Sequence, residues 1–234
     1  MKENSANRAT GQTKKVTLEE VKAHPEVKAY IAQAEKYLNS IGYTEHGFRH
    51  ASLVASIAHN ILSRISTYPN RTAELAGIAG FLHDIGNVTG RDEHNVAGAL
   101  LARNILYDLR ADPQEIAIIM TAVGNHEEEG GWPTNEVSAA LILADKSDVH
   151  RTRVNNPDPA TFDIHDRVNY AAKRSFLRVD EAAGTISLEI EIDTEISQVM
   201  EYFEIFLNRM IMCRRSAEFL KYRFNLIING TKMF

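Results

Sequence analysis

At 234 residues, with 44% hydrophobic and 24% charged side chains, the chain is long enough for one large domain, or one domain with an appendage, and its balance excludes a fibre or wholesale disorder. A formal net charge of -5 and a pI of about 6.0 exclude a global basic field for nucleic acid or anionic lipid, so an anionic substrate has to be held by local charge or by metal. The lone cysteine, Cys213, rules out an internal disulfide, and its apolar neighbours Met210, Ile211 and Met212 predict a buried thiol. No apolar run approaches the roughly 20 residues that a spanning helix needs. With no apolar leader at the N-terminus, a cytoplasmic protein without membrane contact is expected.

Residues 1–15 are polar and predict a disordered tail. Thr17-Leu18-Glu19-Glu20 has the capping-box pattern and Pro25 suits the first turn of a renewed helix, which runs through Val27, Ile31, Ala34 and Leu38 until Gly42 stops it. The next helix starts at Gly47 or Phe48 and carries Leu53, Ile57, Ile61 and Ile65 at four-residue spacing to about Ser66. Asn70 is placed to cap a helix that ends at Ile85-Gly86; its small residues Ala76, Gly77, Ala79 and Gly80 predict close approach to its neighbours, the mark of a central helix. A fourth helix follows Asp92. Asp112-Pro113-Gln114-Glu115 starts a fifth that runs to about Val123, and Thr134-Asn135-Glu136-Val137 opens a sixth. Ile164 to Lys173 reads as one more short helix.

The periodicity then changes. Phe176 to Val179 and Ile186 to Ile192 alternate apolar and polar residues about the turn Glu181–Thr185, which predicts a β-hairpin. A long helix from about Glu195 to Tyr222 follows. The expected fold is mainly α, with a polar tail (1–15), a helical domain (16–173), and a hairpin-plus-helix appendage (174–234). The aromatics Tyr202, Phe203, Phe206, Phe219, Tyr222 and Phe224 predict a packed interface, either a homodimer contact or the chain's own helical domain.

The chemistry-bearing residues are His50, the adjacent pair His83-Asp84, His94, His126 and Asp145, each in or beside a helix with an apolar face. Imidazole and carboxylate together suit first-row transition metals, and a shared carboxylate is the usual bridge of a two-metal site. Neighbours on a helix point about 100° apart, so His83 and Asp84 can reach two sides of one ion or bridge two. At the end of an apolar helix two such groups are costly unless paired or metal-bound. Basic residues close by, Arg49, Lys146 and Arg151, are candidates to grip phosphate, with a solvated surface charge as the bland alternative for each. His46 reads as an exposed residue ahead of a helix, and His24, His150 and His165 as surface residues.

Phe48-Arg49-His50-Ala51, Leu82-His83-Asp84-Ile85-Gly86 and Leu143-Ala144-Asp145 together resemble the HD-domain metal-dependent phosphohydrolases over roughly residues 46–155. Glu93-His94-Asn95 and Asn125-His126-Glu127 are similar to the further motifs of its two-metal branch. The resemblance implies that His50, His83 and Asp145 hold one divalent ion, that His94 and His126 hold a second, and that Asp84 bridges and orients metal-activated water. The donor set accepts Mn, Fe, Co, Ni or Zn. It also implies hydrolysis of a phosphoester or phosphoanhydride in a small, nucleotide-like substrate. One departure stands out: many relatives carry lysine three residues after the Asp of the pair, where this chain has Asn87. An idle nucleotide- or protein-binding module of the same fold is the alternative that Asn87 favours, and oxygen activation by a di-iron centre a further one.

Overall fold

The computed structural model describes residues 12–128 and 130–233. Most of the expected tail, residues 1–11, lies outside them; of its remainder, Lys14 donates its amide to the Arg110 carbonyl at 2.9 Å.

The helices are α1 (Leu18–Ala23), α2 (Pro25–Ser40), α3 (Phe48–Ser63), α4 (Asn70–Leu82), α5 (His94–Asp108), α6 (Pro113–Gly124), α7 (Glu136–Lys146), α8 (Ile164–Ala171) and α9 (Val199–Phe219). Local chemistry explains most of their boundaries. Thr17 and Glu20 form the capping box of α1, and Pro25 opens α2 at a position where its missing N–H costs nothing. Asp112 caps α6 by accepting from Gln114 N, while Glu115 pairs with Arg71 instead of closing a box. Asn70 does not cap α4: it is the first helical residue, and Pro69, held in extended geometry, stands before it. The expected last turn of α4 is a separate 3-10 turn, Ile85–Val88, so Asp84 sits at the junction of two helical segments.

Helices α3, α4 and α7 pack on one another at the centre, with α6 against α4 and α7 and α5 against α6. The small residues of α4 are all buried, and a Cβ on Gly80 would lie only 2.8 Å from Ala55 Cα and 2.9 Å from its nitrogen. That contact brings α3 and α4 together, and with them His50 and His83. Likewise a Cβ on Gly86 would overlap the His94 carbonyl, so the absent side chain lets the 3-10 turn lie against the start of α5.

The C-terminal part is a four-stranded sheet in the order β1 (Ala172–Asp180), β2 (Thr185–Ile192), β3 (Arg223–Ile228), β4 (Thr231–Lys232). The expected hairpin is β1–β2, antiparallel, with Leu177 opposite Leu188. Residues 223–232 extend it beyond that expectation: β3 runs parallel to β2 after the α9 crossover, and β4 folds back antiparallel. The long helix correspondingly stops at Phe219 rather than near Tyr222. Asn229 and Gly230 both have positive φ (49° and 77°), the Asn-Gly hairpin turn whose sequence signal was available at this point.

Of the aromatics expected at an interface, Tyr202, Phe206 and Phe224 are buried within the chain, and α9, which carries the first two, packs on α7. One hydrophobic core contains residues of the helical bundle together with those of β2, β3 and α9. No helix among the described residues is long and apolar enough to cross a membrane.

Candidate metal centre

All six candidate ligands lie together, and three of the four imidazoles are set by backbone geometry. His83 Nδ1 bonds the Gly80 carbonyl one turn back (2.8 Å), His94 Nδ1 the Arg91 carbonyl (3.0 Å), and His126 Nδ1 the Val123 carbonyl (2.6 Å). The fourth, His50 Nδ1, lies 2.7 Å from Asp148 Oδ2. Arg153 Nη1 crowds the same His50 nitrogen and donates to the same carboxylate at 3.0 Å. With the Nδ1 proton spent on these acceptors, each ring when neutral turns an Nε2 lone pair toward the cluster, the tautomer that a metal ligand requires, with Arg91 Nη1 3.3 Å from that of His94 and Arg153 Nη1 3.4 Å from that of His50.

Those four Nε2 atoms surround the Asp84 carboxylate in two groups. His50 and His83 lie 3.6 and 3.2 Å from Oδ2, whereas His94 and His126 lie 3.5 and 3.8 Å from Oδ1. Asp145 Oδ1 completes the first group at 3.3 Å from His50 Nε2 and 3.6 Å from His83 Nε2. Glu127 Oε2 joins the second at 3.2 Å from His94 Nε2. Glu93, in left-handed geometry (φ 56°) just ahead of α5, turns the chain into His94.

This donor set fits divalent cations. Bonds of about 2.0–2.2 Å imply neighbouring ligand atoms about 3.0–3.4 Å apart, close to the spacings observed. The Nε2 atoms of His50 and His83, and those of His94 and His126, face each other at 3.2 Å, acceptor toward acceptor unless a cation or proton lies between. Asp84 Oδ2 is buried and faces the imidazole nitrogens of His83 and His50; with both rings neutral it would be left without a donor, a cost of about 1–3 kcal/mol or more for a charged group.

The titration shifts agree. Burial disfavours the His83 imidazolium, but Asp84 and Asp145 outweigh it and raise the group to about 10: a proton stands where a cation would. Burial, helped by His126 and Arg91, pushes His94 down to about 4, so that ring is neutral at pH 7. Burial acts to raise the Glu127 carboxyl, yet Lys146 and Arg91 hold it at about 2. Asp84 and Asp145 are held well below the usual carboxylate range against their burial, chiefly by His83 and by Lys146 respectively.

The three basic candidates separate. Lys146 is buried, with Nζ 2.8 Å from Asp145 Oδ2, and lines the recess over the cluster. Arg49 does not face the recess: it binds Glu45 and Asp148 on the Nδ1 side of His50. Arg151 lies over the Tyr170 ring at 5.4 Å, away from the cluster. Besides Lys146, the positive charge at the recess comes from Arg91, Arg153 and Arg209.

His46 is another correction. It is half-buried beside the site, its Nδ1 2.5 Å from the Thr44 carbonyl and its Nε2 accepting from Arg153 at 2.9 Å. Asn87 is buried and donates its amide to Asp84 Oδ1 at 3.0 Å, and Arg91 Nη1 reaches the Asn87 oxygen at 3.4 Å. The cation absent at position 87 therefore arrives four residues later, from Arg91. Asp148 and Asp145 stand three apart in sequence, a spacing that could have flagged Asp148; nothing local singles out Arg153 or Arg209.

Residues 47–153 match the family model described as HD domain. A protein of Methanocaldococcus jannaschii described as uncharacterized is 28% identical over 186 residues, a span that covers 70% of this chain and 70% of that one. Residues 47–153, the segment that carries all six clustered residues, form an HD domain.

Proposed function

We propose that the protein is a metal-dependent phosphohydrolase that cleaves a phosphoester or phosphoanhydride bond in a small, nucleotide-like molecule. The observation that carries this reading is the convergence of four imidazole Nε2 atoms on both oxygens of Asp84. His50, His83 and Asp145 would hold one ion and His94 and His126 a second, with Asp84 between them. Bound divalent ions supply a water acidic enough to act as nucleophile near neutral pH and positive charge for the phosphoryl oxygens.

The chain's own groups do the rest. Asn87 fixes the Asp84 carboxylate from one side, so that both its oxygens stay aimed at the imidazoles. Arg91, Arg153 and Lys146 rim the recess and are placed to hold non-bridging oxygens and to stabilise the charge that shifts onto them in the transition state. Asp148 holds the His50 ring and Arg153 together, which ties ligand orientation to substrate grip. A binding module that had lost catalysis would not need four matched tautomers or a buried bridging carboxylate, so Asn87 supports the catalytic reading once its contact is known.

The test is a metal-supplemented screen of nucleotides, cyclic dinucleotides and generic phosphomonoesters, with elemental analysis of protein purified without chelator. Turnover that Asp84→Asn abolishes is the expected result. Less than about one ion per chain together with no turnover would overturn the reading.

A further inference from the structure

Beside the cluster lies a chamber of about 380 Å³, the size of a small-ligand site, whose walls come from the α2–α3 loop, the start of α8 and one face of α9. The recess over Asp84 is far smaller, about 20 Å³. His46, Arg91, Arg153 and Arg209 line both, so the passage between them is a ring of three guanidiniums. Each arginine is tethered by one carboxylate: Arg91 to Glu127 at 3.0 Å, Arg153 to Asp148 at 3.0 Å, Arg209 to Glu128 at 2.6 Å. A guanidinium has five N–H donors; Arg209 spends only Nε and Arg91 keeps part of its set, whereas Arg153 also gives its Nη groups to His50, His46 and Thr44, so the donors left for an anion come chiefly from Arg91 and Arg209.

The chamber's α8 wall has the opposite character. Asp163 and Asp166 line it, with the buried Asn169. Asp163 spends one oxygen capping α8, on the Asp166 amide at 2.8 Å, and Asp166 spends one on Asn156 Nδ2 at 3.1 Å. The second oxygen of each is left to accept. The chamber therefore has cations on the side it shares with the cluster and carboxylates on its α8 wall, and Ile41, Tyr43 and Phe206 complete its lining.

We propose that the substrate is a phosphomonoester whose neutral body carries hydroxyl or amino donors, its single phosphate held at the arginine ring and its body in the chamber against Asp163 and Asp166, which select it. This rests on the phosphohydrolase reading above. A polyphosphate threaded through the ring would bring its next charge toward two carboxylates. A body without donors would leave them with no partner, the arrangement by which sites built for a hydroxyl reject its absence. Sugar phosphates and nucleoside monophosphates share this chemistry, and the assay separates them.

The experiment compares four ligands on the metal-loaded wild-type protein and on Asp163→Asn and Asp166→Asn. They are ribose 5-phosphate, a nucleoside 5′-monophosphate, its 2′,3′-dideoxy analogue and the matching triphosphate. Turnover is read beside binding by calorimetry, and p-nitrophenyl phosphate is the donor-free reference. Asparagine can still cap α8 at position 163. On wild type, at least one hydroxylated monophosphate should exceed both the dideoxy analogue and the triphosphate by about tenfold in kcat/KM and in affinity. Whichever of the two it is names the body. The variants should lower the ratio of that substrate to p-nitrophenyl phosphate by a similar factor. Equal handling of the dideoxy analogue, preference for the triphosphate, or unchanged ratios in both variants would overturn the chamber assignment and leave the hydrolase reading standing. Hydroxyl-selective binding without turnover of any ester would do the reverse.

Discussion

Asp148 Oδ2 sits 2.7 Å from His50 Nδ1, on the side of the ring turned away from the Asp84 carboxylate. It holds the imidazole in the tautomer that leaves Nε2 bare, and Arg49 and Arg153 bind the same carboxylate. Removing such an outer carboxylate typically costs 10–100-fold in metal affinity. Asp148→Ala should therefore bind divalent metal about tenfold or more weakly in competition titrations, with the six ligands intact. Wild-type affinity in that variant would show that the contact holds the fold rather than the ion.

Ion binding should be visible as stability. A ligand that binds only the folded state at about 100 times its Kd adds about 2.7 kcal/mol. Adding Mn or Zn to chelated wild-type protein should thus raise the Tm by several degrees, and chelator should reverse it. Asp84→Asn, which halves the charge available to both ligand groups, should show little of this rise.

The ion-free protein should carry a pH signature from His83. Its folded-state value near 10 exceeds the unfolded value of about 6.5. A raised value means that the protonated form stabilises the fold. That contribution is complete below about pH 6.5 and disappears as pH climbs toward about 10. Thermal melts of chelated wild type against His83→Gln should converge across this window. An entering cation must displace the same proton, so metal affinity should rise with pH over the same range.

Gly80→Ala tests the approach of α3 to α4. Alanine is favoured over glycine in a helix by about 1 kcal/mol, but here its Cβ meets Ala55 backbone at 2.8 Å, which a side-chain rearrangement cannot relieve. Overpacking of this kind costs about 1–3 kcal/mol, so a net loss in Tm is expected. Because the two helices carry His50 and His83, metal affinity should fall with it. A stabilised Gly80→Ala protein would contradict the contact.

Cys213 is fully buried, and burial pushes its thiol up to about 12. A disulfide reagent should label it only after denaturant is added; rapid labelling of the native protein would mean that α9 opens readily from α7.

Much of this molecule was legible along the chain because helices and tight turns are decided by neighbours. Capping by Thr17 and Asp112, the proline starts of α2 and α6, and the small residues of α4 act within a turn or two, whereas His50, His83, Asp84, His94, His126 and Asp145 are far apart along the chain and were legible as a set through their resemblance to a family pattern. The β3 pairing was not legible, since it depends on α9 delivering residues 223–228 beside a strand that ended thirty positions earlier. The arginine ring was decided only by the fold. Arg153 meets His50 across 103 positions and Arg209 meets Glu128 across 81, whereas Arg49 and Arg151, the nearer basic residues in sequence, turn to Asp148 and Tyr170. Ligand identity follows from side-chain chemistry in a recurring motif pattern. Which charge faces a site follows from helix packing, and that is a property of the whole core.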